Sequence, residues 1–295
     1  MPFATIDRKK IYYETHEKGE WIILLHHGFG CTKMWKDIFP SLVNAGYGIV
    51  MYDRRGYGRS ERGEGFSSFF ESDEFREESV QDMSLLLKHL NVDSFHLVGQ
   101  CEGGVIAIDY ANSHPEQVKT VTVSSTQCFS TVTTGEKNKV DFPKPFHELE
   151  PALREKLTEW HGDNTETFFN QFRDTGGAYG TGCFDIRPSL PSVSCPTLVL
   201  YPDRSKIFEV EQAVSFYRHL PAGELNVLPM CGHNTYEQQP EEYVRSILGF
   251  LDRSRVAPGR YASAGLKGIG TCLATPDPAF SRMEPEGDRG GLVTP

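Results

Sequence analysis

Phe95-His-Leu-Val-Gly-Gln-Cys-Glu-Gly-Gly104 is the stretch whose reading decides the fold. A short apolar run, Phe95 to Val98, meets Gly99-Gln-Cys-Glu-Gly103, and Val105, Ile106, Ile108 and Ala111 follow at helical spacing. The order reads strand, sharp turn, helix. Glycines flank such a turn because neighbouring chain leaves no room for side chains. The turn pushes the side chain of Cys101 out at the carboxyl end of a sheet and aims the positive end of a helix at it. A thiol placed so is expected to shift down toward thiolate. The alternative for this pentapeptide is a buried cysteine beside two close-packed glycines.

Working outward, Trp21 to Leu25 and Gly48 to Tyr52 read as further buried strands, and Val118 to Val123 and Thr197 to Tyr201 as later ones. Val80, Met83, Leu87 and Leu90 make one apolar helix face, and Glu211 to Leu220 and Glu241 to Leu251 read as helices. Strands alternating with helices predict an α/β fold, a parallel sheet with helices on both faces. Phe3 to Glu17 reads as an antiparallel hairpin at the sheet edge. Residues 127–190 break the alternation, with helical patches at Glu148 to Trp160 and Glu166 to Phe172, and are expected to form a small helical lid. The core is then 1–126 with 191–253. Residues 254–295 hold seven Gly and five Pro and are expected to be a disordered or loosely attached tail.

Forty acidic against thirty basic residues give a net charge of −10, which repels phosphate backbones and excludes nucleic acid as the expected partner. No apolar run approaches the roughly 18 residues of a membrane span, and Met1 to Lys10 carries no signal-type stretch. Seven scattered cysteines show no zinc-finger or Cys-x-x-Cys spacing. Free thiols in a reducing cytoplasm, with no membrane partner, no metal and no organic cofactor, are the expectation.

Three more motifs surround the elbow. His26-His-Gly-Phe-Gly30 follows a strand, and its turn can offer the N–H of Phe29 to an oxyanion, with the N–H of Glu102 as second donor. His26 and His27 themselves read as structural. Asp53-Arg-Arg-Gly-Tyr-Gly-Arg-Ser60 reads as a charged loop whose arginines pair with nearby carboxylates. His233, in a loop before the last helix, reads as a general base because of its place after the last strand.

These four motifs, in this order, resemble the α/β-hydrolase superfamily over roughly residues 3–252, on the branch of short-cap esterases, lactonases and haloalkane dehalogenases. The resemblance implies a mostly parallel eight-stranded sheet and a cap between strands six and seven. Two departures stand out. Cys101 occupies the place where the family usually has Ser, as in dienelactone hydrolases and a few thioesterases. Ser205 falls on the family's usual acid position, Asp203 lies two residues earlier, and the alternative acid site Ser124-Ser-Thr-Gln127 has no carboxylate. A Cys101–His233 dyad is therefore expected, or a triad with Asp203, for which turn capping is the other reading. The Glu102 side chain is expected to point outward along its helix.

The chemistry implied is hydrolysis of a small-molecule ester, lactone or thioester through an acyl-cysteine. Trp160, Phe168, Phe169 and Phe172 are expected to line an acyl pocket, or else simply to pack the lid. The alternatives are an acyltransferase using the same intermediate and a non-catalytic binder of small molecules on a hydrolase fold.

Overall fold

A computed structural model describes residues 3–256. β1 (Phe3–Ile6) and β2 (Lys9–His16) form an antiparallel hairpin turned at Asp7 and Arg8, both at positive φ. β3 (Trp21–Leu25), α1 (Phe39–Asn44) and β4 (Gly48–Tyr52) come next, then α2 (Phe66–Phe70) and α3 (Phe75–His89). β5 (Phe95–Gln100), α4 (Glu102–Ser113) and β6 (Val118–Ser124) complete the first part of the chain. The strands form one sheet in the order β1-β2-β4-β3-β5-β6, continued by β7 (Thr197–Pro202) and β8 (Gly223–Leu228). From β4 onward all pairs are parallel, while β2 runs antiparallel to β4.

β3 and β4 carry no polar face because each feeds two cores. Ile23 and Leu25 of β3 pack on one side of the sheet with Val50, Leu97 and Val121. Ile22 and Leu24 pack on the other with Ile49, Met51 and Val98. Each such side chain removed from water contributes roughly 1.5–3 kcal/mol, and a one-residue slip exchanges the two sets.

Between β6 and β7 the chain builds a cap from α5 (Thr134–Asp141), α6 (Pro151–His161) and α7 (Thr165–Thr175) and returns through a 3-10 turn at Gly177–Tyr179. α5 starts on a capping box: Thr133 accepts the N–H of Glu136, whose carboxylate takes the N–H of Thr133. After α8 (Val210–His219) and β8 come α9 (Thr235–Gln238) and α10 (Pro240–Val256). α10 runs three residues beyond the core boundary expected at 253, and its Arg255 pairs with Glu20 and lies over the Tyr47 ring. The rest of the tail expected from 254 lies outside the described residues. Among the described residues no helix is long and apolar enough to cross a membrane.

Candidate active site

Cys101 sits between β5 and α4 with φ +53 and ψ −117, a conformation L residues seldom adopt. The glycines are obligatory. A Cβ on Gly103 would lie 2.2 Å from the carbonyl oxygen of Leu25, and one on Gly99 would lie 2.3 Å from that of Gly103. The strained turn therefore exists because α4 packs directly on β3 and β5, and it holds the thiol at the carboxyl end of the sheet.

The thiol is not shifted down as expected. Burial pushes it up to about 11, and the charge of Glu102 acts in the same direction. The hydroxyl of Tyr179, 3.3 Å away, and the N–H groups of Gly28 and Glu102 act the other way without overcoming burial. The helix end is thus outweighed by loss of water. The donor expected at Phe29 falls one residue earlier, because the Phe29 N–H is already given to Nδ1 of His27 at 3.1 Å. Gly28 and Glu102 supply the two N–H groups that face the sulfur.

His233 lines the same cavity as Cys101. Its Nδ1 lies 3.4 Å from Oγ of Ser205, the residue at the family's acid position. Burial, reinforced by the charge of Lys137, lowers the imidazole to about 4, so it is neutral at pH 7. Asp203 does not join them. Its carboxylate accepts the N–H of Cys231 at 3.0 Å, and the N–H groups of Met230 and Cys231 hold it below the usual carboxylate range. It caps the turn that carries the His233 loop. In place of the thiolate expected at Cys101, the dyad holds a neutral thiol and a neutral imidazole.

Glu102 departs most from expectation. Instead of pointing outward, its side chain is fully buried. Oε2 takes Arg54 at 2.5 Å and the hydroxyl of Tyr57 at 2.8 Å, while Oε1 takes the N–H of Ala178 in the cap at 2.7 Å. The loop at 53–60 is pinned as its sequence implies. Buried Asp53 accepts the N–H groups of Thr32 and Arg59, and Arg54 pairs with the carboxylate beside the elbow. His26 is structural too: Nδ1 donates to the carbonyl of His27 and Nε2 accepts the N–H of Arg54.

The cavity above Cys101 holds about 400 Å³. Trp160, Phe169 and Phe172 line it, together with the ring of Phe29 and with Tyr179, Phe208 and Tyr236, the last three of which sequence reasoning did not single out. Phe168 turns the other way, edge-on to Tyr57 at 4.8 Å and against His161, and packs the cap onto the core. Lys137, Lys144 and Lys156 also line the cavity, and Asp141 is its one lining carboxylate among the described residues. Residues 127–190 carry seven Lys or Arg and ten Asp or Glu. The cap as a whole is therefore not basic, but three of its seven cations and one of its ten anions face this cavity.

Comparison with known proteins decides the family: a model described as the alpha/beta hydrolase fold matches residues 20–179. The chain belongs to the α/β-hydrolase family. A proline iminopeptidase of Clostridioides difficile is 36% identical over 131 residues, 43% of this chain and 42% of that protein. A proline iminopeptidase of Lactobacillus acidophilus is 24% identical over 284 residues, 81% of this chain and 95% of that protein. Among solved structures, a meta-cleavage product hydrolase of Pseudomonas fluorescens IP01 superposes with a TM-score of 0.70 at 17% identity, covering 85% of this chain and 97% of that one. That last likeness concerns the fold. The proline iminopeptidases are hydrolases, and they support that class for this chain.

Proposed function

We propose that this α/β hydrolase cleaves an ester, lactone or thioester through an acyl group carried on Cys101. The observation that carries the reading is convergence. A thiol on a strained elbow forms the floor of an apolar cavity, the imidazole of His233 is in its wall, and two backbone N–H groups face the sulfur. In this reading His233 takes the thiol's proton as the carbon–sulfur bond forms, and the N–H groups of Gly28 and Glu102 hold the oxyanion. The imidazolium then protonates the leaving group, and the neutral imidazole activates water. Because thiol and imidazole both rest neutral, proton transfer accompanies the attack instead of preceding it.

The cavity favours an apolar acyl chain that ends in a negative charge. Its walls are aromatic, and among the described residues Lys144 has no ion-pair partner. Lys137 and Lys156 are held by Asp141 at 2.9 Å and Glu237 at 2.7 Å. The proline iminopeptidases act, by name, on a proline imino group, which is cationic when free. The unpaired ammonium of Lys144 disfavours such a terminus here.

A specific observation favours a second reading, a non-catalytic binder: among the described residues no carboxylate is hydrogen-bonded to His233. Exposure to a panel of p-nitrophenyl esters and acyl thioesters, with intact mass and product release followed together, separates the readings. Turnover with a transient adduct on Cys101 supports the hydrolase. A stoichiometric adduct cleared only by an added thiol or amine points to an acyltransferase. No adduct with any ester leaves the binder.

A further inference from the structure

The hydroxyl closest to the candidate nucleophile comes from the cap. Oη of Tyr179 is 3.3 Å from Sγ of Cys101, and the sulfur is the partner the structure gives that hydroxyl. We propose that Tyr179 is a catalytic residue of the acyl-cysteine reaction, its phenol donating a hydrogen bond to the sulfur whenever negative charge gathers there. The proposal rests on the acyl-cysteine reading above and deepens it.

The placement is built, and Glu102 builds it. The carboxylate beside the nucleophile accepts the N–H of Ala178 at 2.7 Å, one residue before Tyr179. Gly177 has φ +56, and a Cβ there would lie 2.1 Å from Oε1 of Glu102, so only glycine lets the cap backbone come this close. Thr134 donates from its hydroxyl to the carbonyl of Tyr179, and the ring stands edge-on to Phe184 at 5.0 Å. A carboxylate next to a sulfur nucleophile opposes thiolate formation. Here Arg54 offsets its charge, and its free oxygen positions the donor.

The steps balance as follows. In acylation the S–H bond breaks, its proton goes to the imidazole of His233, and the sulfur pair forms the bond to the carbonyl carbon. The carbonyl pair moves onto oxygen and returns as the leaving group departs with the imidazolium proton. In deacylation water adds, giving one proton to the imidazole. The carbon–sulfur bond then breaks with its pair on sulfur, and the imidazolium protonates that sulfur. Tyr179 keeps its proton throughout. Burial and the neighbouring sulfur hold the phenol well above its ordinary value, so it remains a donor over the working pH range. It acts at the two moments when sulfur bears charge.

The titratable groups around the sulfur are Glu102 on α4, Arg54 and Tyr57 behind it, Tyr201 on β7, and His233 and Tyr236 after β8. Glu102 and Arg54 are paired. The three tyrosines are held above their ordinary value and His233 is neutral, so removing one phenol hydroxyl changes one interaction.

The test is Tyr179→Phe in the full chain, which keeps the ring and its packing. Cys101 is alkylated with iodoacetamide across about pH 6–10, and labelling is read at the Cys101 peptide because other cysteines are present. The expected result is roughly tenfold slower labelling near pH 8, with the profile moved to higher pH. kcat on an ester should fall by a similar factor with KM unchanged, and the melting temperature should stay within about two degrees. An unchanged profile overturns the proposal. Faster labelling also overturns it, since the phenol oxygen would then be accepting the S–H and locking the thiol. Failure of the wild type to form any acyl adduct on Cys101 would sink the acyl-cysteine reading by itself. The labelling profile does not depend on turnover and still decides the bond from Tyr179.

Discussion

Ser205 Oγ stands 3.4 Å from Nδ1 of His233 while receiving the backbone N–H groups of Ile207 and Phe208 at 3.2 and 3.0 Å. A hydroxyl has two lone pairs and one hydrogen. Both lone pairs are engaged, so the hydrogen is left for Nδ1. That keeps the imidazole proton on Nε2, the wrong tautomer for a base, and the enzyme must spend energy to change it.

Ser205→Asp should therefore activate. A carboxylate there would keep the two backbone donors and accept a hydrogen bond from Nδ1–H, raising His233 from about 4 and fixing the useful tautomer. Cys101→Ser alone should lose on the order of 10⁴ in kcat on esters, the scale of tautomer loss in a serine triad. The double variant should regain part of that. Equal activity of Cys101→Ser and wild type would show that Ser205 suffices as orienting group.

Glu102→Ala should destabilise by about 3–5 kcal/mol, because it leaves the Arg54 guanidinium buried without its counter-charge. Urea unfolding measures the loss. Glu102→Ala with Arg54→Met should recover much of it, and no recovery would mean that the contacts to Tyr57 and Ala178 matter more than the charge.

Acid should weaken the fold before it unfolds it. His233 and His96 are held at about 4 in the folded chain, and His26 and His27 well below their ordinary value, all chiefly by burial. A depressed folded value means the unfolded chain binds more protons, so the stability is complete above about pH 6.5 and is lost as pH falls through 4. At 1.36 kcal/mol per pH unit, His233 accounts for roughly 3 kcal/mol. Asp82, raised to about 6 by burial, works in the opposite direction between its ordinary value and 6, and offsets part of the loss. Melting temperatures should hold from pH 8 to 6.5 and fall below that. A flat curve down to pH 4.5 would contradict the neutral burial of these imidazoles.

Lys144→Glu should discriminate between substrates. Against the p-nitrophenyl half-ester of glutarate, kcat/KM should fall roughly fivefold, the scale of reversing one exposed charge. Against p-nitrophenyl valerate it should not change. Equal effects on both would remove the case for an anionic acyl end.

Most of the sheet was legible because buried parallel strands are short apolar runs, and Trp21–Leu25 and Gly48–Tyr52 begin and end where their sequences say. The elbow was legible because its glycines answer a local steric need. α5 was overlooked although Thr133 and Glu136 carry a readable capping signal. Tyr179 could not be read: 78 residues separate it from Cys101, and the cap alone brings them together. The fate of Glu102 was misread because a helix N-terminus explains a carboxylate locally, whereas its actual partners come from the loop after β4 and from the cap.

The cap is fastened in two ways. Its returning end is fixed to the core through the buried carboxylate of Glu102, and the end of α6 through buried His161, whose ring takes the N–H of Gly58 and meets the carbonyl of Phe29. Lys33 with Glu159 and Lys156 with Glu237 add solvent-facing pairs outside these. Salt screens the outer pairs and barely reaches the inner contacts. Ionic strength should therefore loosen only the rim of the cap, and the geometry around the sulfur is insulated from it.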